Sequence, residues 1–296
     1  MQKQFFIKMS FCILFYLLLA NFCVVCFSQN QTEGNFTILG SRSAGMFSIL
    51  DDVLAAVKCY EKGYYQGLLV DFVKEGYYYD ISHGDNWWGY YFQPICLGIQ
   101  KNVGQANVKT VLRGHWPQEA ADPGEIESRT SREEAYALIQ KYVHIKPHIQ
   151  TKIKILEEEI FKHIFIISIH YRGTDKITEA PFVPYEKVVE EIIKVMQIYG
   201  NLKYKIFVAT DTNDFLSYMK GMFKERVCYN PNAIRSTNGK PVHIGQIAPY
   251  KCGEDGLIDC VLLSMGNVLI RTSSNLSRWA TYFNPKIPVI ELSKRY

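Results

Sequence analysis

Residues 164–179 read IFIISIHYRGTDKITE. The stretch opens as an apolar, β-branched run without regular polar alternation, the signature of a strand buried on both faces of a parallel sheet. It ends in His170, Arg172, Thr174, Asp175 and Lys176. Open α/β sheets bind ligands at the carboxyl ends of their strands, which is where these side chains fall. Two cations beside hydroxyl and carboxyl groups suit a diphosphate and its leaving charge. Pro184 then stands where a helix begins, and Val188, Val189, Ile192, Ile193 and Met196 follow at helical spacing.

The same alternation runs outward from this unit. Besides 164–170, strands are predicted at 205–210, 267–271 and 288–292, and helices near 184–199, 213–223, 257–265 and 276–283. Such alternation makes a parallel, doubly wound sheet. Upstream, Met46, Ile49, Leu50, Val53, Leu54 and Val57 repeat at helical spacing after the turn-like Gly40-Ser41-Arg42-Ser43, and 68–72 reads as a short strand. Asp122-Pro123-Gly124 marks a turn. Ser131 and Glu134 form a capping-box pattern that opens another helix. Lys146-Pro147 interrupts it, and 149–161 restarts as an amphipathic helix. The domain boundary falls there, dividing an N-terminal α/β domain, 29–145, from a C-terminal one, 146–296.

The chain has 296 residues, 48% hydrophobic and 21% charged, enough to bury a full core. Its net charge of +4 is mild, and Lys and Arg are interspersed with Asp and Glu. Nothing in that pattern points to nucleic acid. No G-x-G-x-x-G, Walker A, G-x-S-x-G or H-E-x-x-H motif occurs. The histidines, His83, His115, His144, His148, His163, His170 and His243, are too dispersed for a zinc site.

Residues 9–27 are almost unbroken apolar sequence behind Lys3 and Lys8. A cleavable signal peptide and an uncleaved type II membrane anchor, within 1–28, both fit. Either implies export: the lumen of the secretory pathway in a eukaryote, the periplasm or exterior in a bacterium. The sequons Asn30-Gln31-Thr32 and Asn35-Phe36-Thr37 suit a glycosylated stem, whereas Asn275-Leu276-Ser277 is expected to be buried. Beyond the leader lie Cys59, Cys96, Cys228, Cys252 and Cys260; Cys228–Cys252 is the preferred disulfide because both flank a long loop, and Cys260 reads as buried.

His170-Tyr171-Arg172-Gly173-Thr174-Asp175-Lys176, followed by Thr178-Glu179-Ala180, closely resembles the H-x-R-x-T-D-K…TEA motif of the α1,6-fucosyltransferases. That superfamily also holds the nodulation fucosyltransferases and protein O-fucosyltransferases. FVATDT (207–212) and IDCVLLSMGNVLIRTSSNLSR (258–278) resemble its second and third motifs, in the same order. The N-terminal half matches more weakly, through Asn86-Trp87-Trp88 and Tyr90-Tyr91-Phe92. The resemblance implies a GT-B-like fold, two Rossmann-like halves facing across a cleft, and transfer of fucose from GDP-fucose to a glycan or glycoprotein hydroxyl with inversion.

Without a metal or other cofactor, departing GDP must be stabilised by cations and backbone donors. The resemblance gives Arg172 the part of the essential phosphate-binding arginine and Lys176 that of a second point charge. Glu179 becomes the base that takes the acceptor proton, with Asp175 as the alternative. Two departures stand out: Gly173 replaces the second arginine of an Arg-Arg pair, and the loop before Glu179 is one residue shorter. His170 either packs on the nucleotide or fills the strand end. Asp211 either touches the nucleotide or caps the next helix. Asp259 matches the aspartate that recognises guanine, though a first-turn carboxylate also favours the helix dipole. Thr272, Ser273 and Ser274 precede a helix N-terminus and suit phosphate.

The aromatic loop with Asn86, Trp87 and Trp88 either stacks an acceptor sugar or plugs the core between the halves. Three functions therefore remain open: a fucosyltransferase, a non-catalytic glycan- or partner-binding member of the same fold, and a transferase using another GDP-sugar.

Overall fold

The computed structural model describes residues 36–64, 66–98, 108–111, 130–162, 164–174, 180–200, 202–236, 242 and 248–293. The run that opens the sequence reading forms β5 (Phe165–Tyr171), and all of it but Phe165 is buried. It sits at the centre of a five-stranded parallel sheet with β6 (Tyr204–Thr210), β7 (Val227–Cys228), β8 (Val268–Arg271) and β9 (Val289–Glu291). The order β7-β6-β5-β8-β9 is the doubly wound order 3-2-1-4-5, whose direction of progression reverses between β5 and β8.

Burial on both faces explains the missing polar alternation. On one side Ile167, Ile169 and Tyr171 pack with Val188 and Ile192 of α5 (Tyr185–Tyr199) and with Phe215 and Met219 of α6 (Asn213–Phe223). On the other, Ile166, Phe207 and Leu269 join Leu257, Cys260 and Leu263 of α7 (Pro249–Ser264). Each fully buried aliphatic or aromatic side chain contributes roughly 1.5–3 kcal/mol.

That second cluster continues into the N-terminal half, through Leu50, Val53 and Val57 of α1 (Met46–Glu61). There β1 (Phe36–Leu39), β2 (Gly67–Val70), β3 (Cys96–Leu97) and β4 (Val108–Val111) form a sheet in the order β3-β2-β1-β4. Strands β2, β1 and β4 are parallel and β3 is antiparallel. The stem reading fails at 36–39, which is a central strand with Thr37 2% exposed. Four residues beside a polar segment carry too short a pattern to be read as a strand.

The short helix α2 (Trp88–Tyr91) closes the aromatic loop. Helix α3 (Arg132–Tyr142) begins as its pattern implies, with Ser131 Oγ accepting from Glu134 N at 3.1 Å. The helix ends before Lys146-Pro147 as expected, and Pro147 is the first residue of the next, α4 (Pro147–Ile160), two residues ahead of the expected restart. A buried polar knot joins the halves: Asp51 of α1 accepts from Arg278 and, at 2.8 Å, from Trp279 Nε1, both on α8 (Asn275–Phe283).

Helix α7 starts eight residues before its expected position, because Gly253 and Gly256 weaken the local helical signal. Packing restores it. A Cβ at Gly253 would lie 2.6 Å from Tyr91 Cζ and 2.7 Å from Met46 Cε, so only glycine admits this approach between the halves. The Cys228–Cys252 disulfide does not form. Cys228 Sγ donates to Ile206 O and Cys252 Sγ to Val242 O, each at 3.4 Å. Cys228 faces the strand next to it in the sheet, while Cys252 faces the cleft. Cys260 is buried as expected. Among the described residues no helix is long and apolar enough to cross a membrane; the leader and the Asn30 and Asn35 sequon positions lie outside them.

Candidate active site

The carboxyl ends of β1, β5, β6 and β8 open onto one cleft of about 490 Å³. After β1 the chain supplies Ser43 to Ser48, the entry and first turn of α1; after β5, His170 and Arg172; after β6, Asp211; after β8, Ser274, Asn275 and Leu276. Tyr77 and Tyr78 close the N-terminal side, and Asp255 and Asp259 of α7 the far side. Two helix N-termini thus line it, those of α1 and α8, and each presents partial positive charge.

Asp211 organises the β5 loop. Its Oδ2 lies 3.0 Å from Arg172 Nε and accepts from Thr174 Oγ1 at 2.6 Å, while its Oδ1 accepts from Gly173 N at 2.9 Å. Thr272 Oγ1 accepts from Arg172 N at 2.9 Å, so β8 braces the same turn. Asp211 holds the guanidinium and Thr272 the backbone of the same residue, and the arginine side chain remains 17% exposed. A cation anchored this way can meet an anion without first losing conformational freedom.

Two carboxylates of α7 also line the cleft. Burial raises the Asp259 carboxyl to about 7, against the pull of Arg235, and Asp259 Oδ1 has no hydrogen-bond partner among the described residues. Asp255, one turn earlier, accepts from Ile234 N at 3.0 Å and pairs with Lys251. A buried carboxylate oxygen lacking a donor is an acceptor awaiting a ligand's N–H. The cleft therefore brings a guanidinium, helix N-terminal amides and carboxylate acceptors into one space, the set of groups that a nucleoside diphosphate with N–H groups on its base would meet. Among the described residues no group of three His, Cys, Asp or Glu could hold a metal ion.

Of the expected residues, His170, Arg172, Asp211, Asp259 and Ser274 line the cleft together. Thr272 and Ser273 do not; the first braces Arg172, and the second donates its N–H to Ser293 Oγ at 3.1 Å. Thr174 binds Asp211. Asp211 is not the helix cap, since Thr212 caps α6, its Oγ1 accepting from Phe215 N at 3.4 Å. Asp175, Lys176 and Glu179 lie outside the described residues.

The aromatic loop is a core plug, and its expected acceptor role is corrected accordingly. Trp87 and Trp88 are 0% and 1% exposed, so neither has a face for a sugar. Their indole N–H groups donate inward, to Ser41 Oγ at 3.0 Å and Gln93 O at 2.8 Å. Asn86 Oδ1 accepts from Phe72 N and Trp88 N, and its Nδ2 donates to Asp71 at 2.6 Å. The sequence reading missed the wall formed by 43–48, Tyr78 and Asp255. Its only local signal is the turn-like Gly40-Ser41-Arg42-Ser43 ahead of an apolar helix.

No protein-family description and no curated protein matches the chain. Solved structures do. A NodZ α1,6-fucosyltransferase soaked with GDP-fucose aligns at TM-score 0.61 and 20% identity, over 87% of this chain and 94% of that one. Fucosyltransferase NodZ from Bradyrhizobium aligns at 0.59 and 18%, over 90% and 99%. FUT1 of Arabidopsis thaliana, in complex with GDP, aligns at 0.50 and 12%, over 88% and 71%. The chain has the GT-B-like fold of these fucosyltransferase structures.

Proposed function

We propose that this chain is a glycosyltransferase that moves fucose from GDP-fucose to a glycan or glycoprotein hydroxyl, with inversion and without a metal. The observation that carries the reading is the make-up of the cleft: Arg172 fixed by Asp211 and the buried Asp259 acceptor line the same space. NodZ structures of the same fold were soaked with GDP-fucose or co-crystallized with GDP. In this reading guanine N–H groups meet Asp259, the diphosphate lies beside Arg172 and the α1 and α8 N-termini, and fucose points toward the β5 loop. Arg172 and Lys176 stabilise charge on departing GDP, and Glu179 takes the acceptor proton as the anomeric carbon is attacked. Export through the apolar leader belongs to the same proposal.

A second reading, a non-catalytic binder of the same fold, draws on Gly173. A Cβ there would stand 3.0 Å from both Thr212 Cγ2 and Tyr171 Cε1, so this turn is built without the side chain that the resemblance puts at that position.

Calorimetric titration of GDP and GDP-fucose with a chelator present, beside Arg172→Ala, tests the proposal. Micromolar binding that the variant loses, with slow release of fucose from GDP-fucose, is the expected result. No binding by folded protein overturns the donor site, and binding without any sugar release favours the second reading.

A further inference from the structure

Tyr78 lines the cleft from the N-terminal half and has no part in the mechanism so far. Its hydroxyl oxygen accepts from Met46 N, the first amide of α1, at 2.9 Å in a buried hydrogen bond. A phenol has one donor proton and two lone pairs. With the amide occupying a lone pair, the O–H proton is left to donate elsewhere, and the residue lines the cleft. The ring that carries it is clamped. Trp87 packs on it at 5.4 Å between centroids, Phe72 packs on Trp87 at 4.7 Å, and the Trp87 N–H is anchored on Ser41. The plug once expected to stack a sugar serves instead to fix this tyrosine.

Arg172 lines the same cleft, within electrostatic range of the phenol. We infer that the Tyr78 hydroxyl donates a hydrogen bond to the diphosphate of the nucleotide, alongside Arg172. Burial raises the phenol to about 12, only partly offset by the Met46 amide and Arg172, so the group stays a neutral donor at physiological pH. A group held between a guanidinium, an O–H donor and two helix N-termini must itself carry negative charge. Tyr78 is thus a substrate-binding residue contributed by the half opposite the recognised motifs.

The inference rests on the donor reading, and one experiment separates the two. Wild-type full-length protein and Tyr78→Phe are titrated with GDP and with guanosine, which lacks phosphates, and melted in parallel. The expected result is GDP affinity about 10- to 100-fold weaker in the variant, the range of a hydrogen bond to a charged group, with guanosine affinity unchanged. Equal GDP affinity in both proteins overturns the role of Tyr78 and spares the donor site. A matching loss for guanosine overturns it too, because general distortion weakens both ligands. Failure of the wild type to bind GDP overturns the donor reading itself and the tyrosine contact with it. Should Tyr78→Phe not fold, the ¹³Cζ resonance of Tyr78 in labelled wild type decides: it shifts with GDP and not with guanosine, or the inference fails.

Discussion

Asp211 Oδ2 stands 3.0 Å from Arg172 Nε, joining the residue after β6 to the residue after β5. The parallel register sets up the contact, since Tyr171 and Thr210 are paired one residue earlier on each strand. The same carboxylate holds Gly173 N and Thr174 Oγ1, so one side chain shapes the whole turn. Asp211→Asn keeps an acceptor for Gly173 but sets an amide against Arg172 and removes the charge. Losing a charge-assisted hydrogen bond lowers stability by about 2 kcal/mol. GDP affinity falls about tenfold as the guanidinium loses its fixed direction. Thermal melts and titration read the two effects, and undiminished GDP affinity would show that Arg172 needs no such support.

Gly253 tests the contact between the halves. Its absent Cβ is what lets α7 approach Tyr91 and Met46, and Tyr91 OH donates to Tyr250 O at 2.8 Å from the same patch. Gly253→Ala must push the buried Tyr91 ring aside. Overpacking of this kind costs about 1–3 kcal/mol, although alanine is the better helix former. Urea unfolding reads the difference; a variant as stable as wild type would mean that the junction yields freely.

Asp51 is the second tie between the halves. Burial raises its carboxyl to about 6, while Arg278 and Trp279 hold it down. Asp51→Ala removes the carboxylate that the buried Arg278 guanidinium, itself 8% exposed, pairs with. Removing one partner of a buried pair lowers stability by about 3–5 kcal/mol. Unfolding remains one transition, because apolar packing runs unbroken from Leu50 through Leu263. Two separated transitions in denaturant would instead make Asp51 the principal tie.

How far the sequence reveals this arrangement depends on how local each signal is. Strands β5, β6 and β8 are legible because burial on both faces removes polar alternation along the run itself. Arg172 is legible because it ends such a run. Its bond to Asp211 is not, because a contact between neighbouring strands leaves no trace in either segment. The start of α7 is hidden by two glycines whose reason is a tyrosine on the other half. Trp87 and Trp88 have the same composition whether they stack a sugar or fill a core, and only their inward N–H bonds decide. The Tyr78 wall comes from across the cleft, set by the packing of α1 on α8 rather than by any motif.

Asp259 gives the cleft a pH dependence of definite sign. Burial pushes its carboxyl up to about 7 in the fold, from an ordinary value of 3.8. Below both values the folded and unfolded chains are protonated alike, and the residue leaves stability unchanged. As pH rises from 4 toward 7 the unfolded chain ionises first, so stability falls, by on the order of 4 kcal/mol once both states are ionised. Asp259→Asn removes this loss, and its melting point gains on wild type between pH 5 and 8. Guanine N–H donors favour the ionised carboxylate, so GDP binding releases a proton and its affinity rises with pH until it levels off above 7. In Asp259→Asn that rise disappears. Titrations at pH 5.5, 6.5, 7.5 and 8.5 in buffers of different ionisation heat read affinity and proton release together. Parallel affinity curves for the two proteins would remove Asp259 from the base-binding end of the cleft.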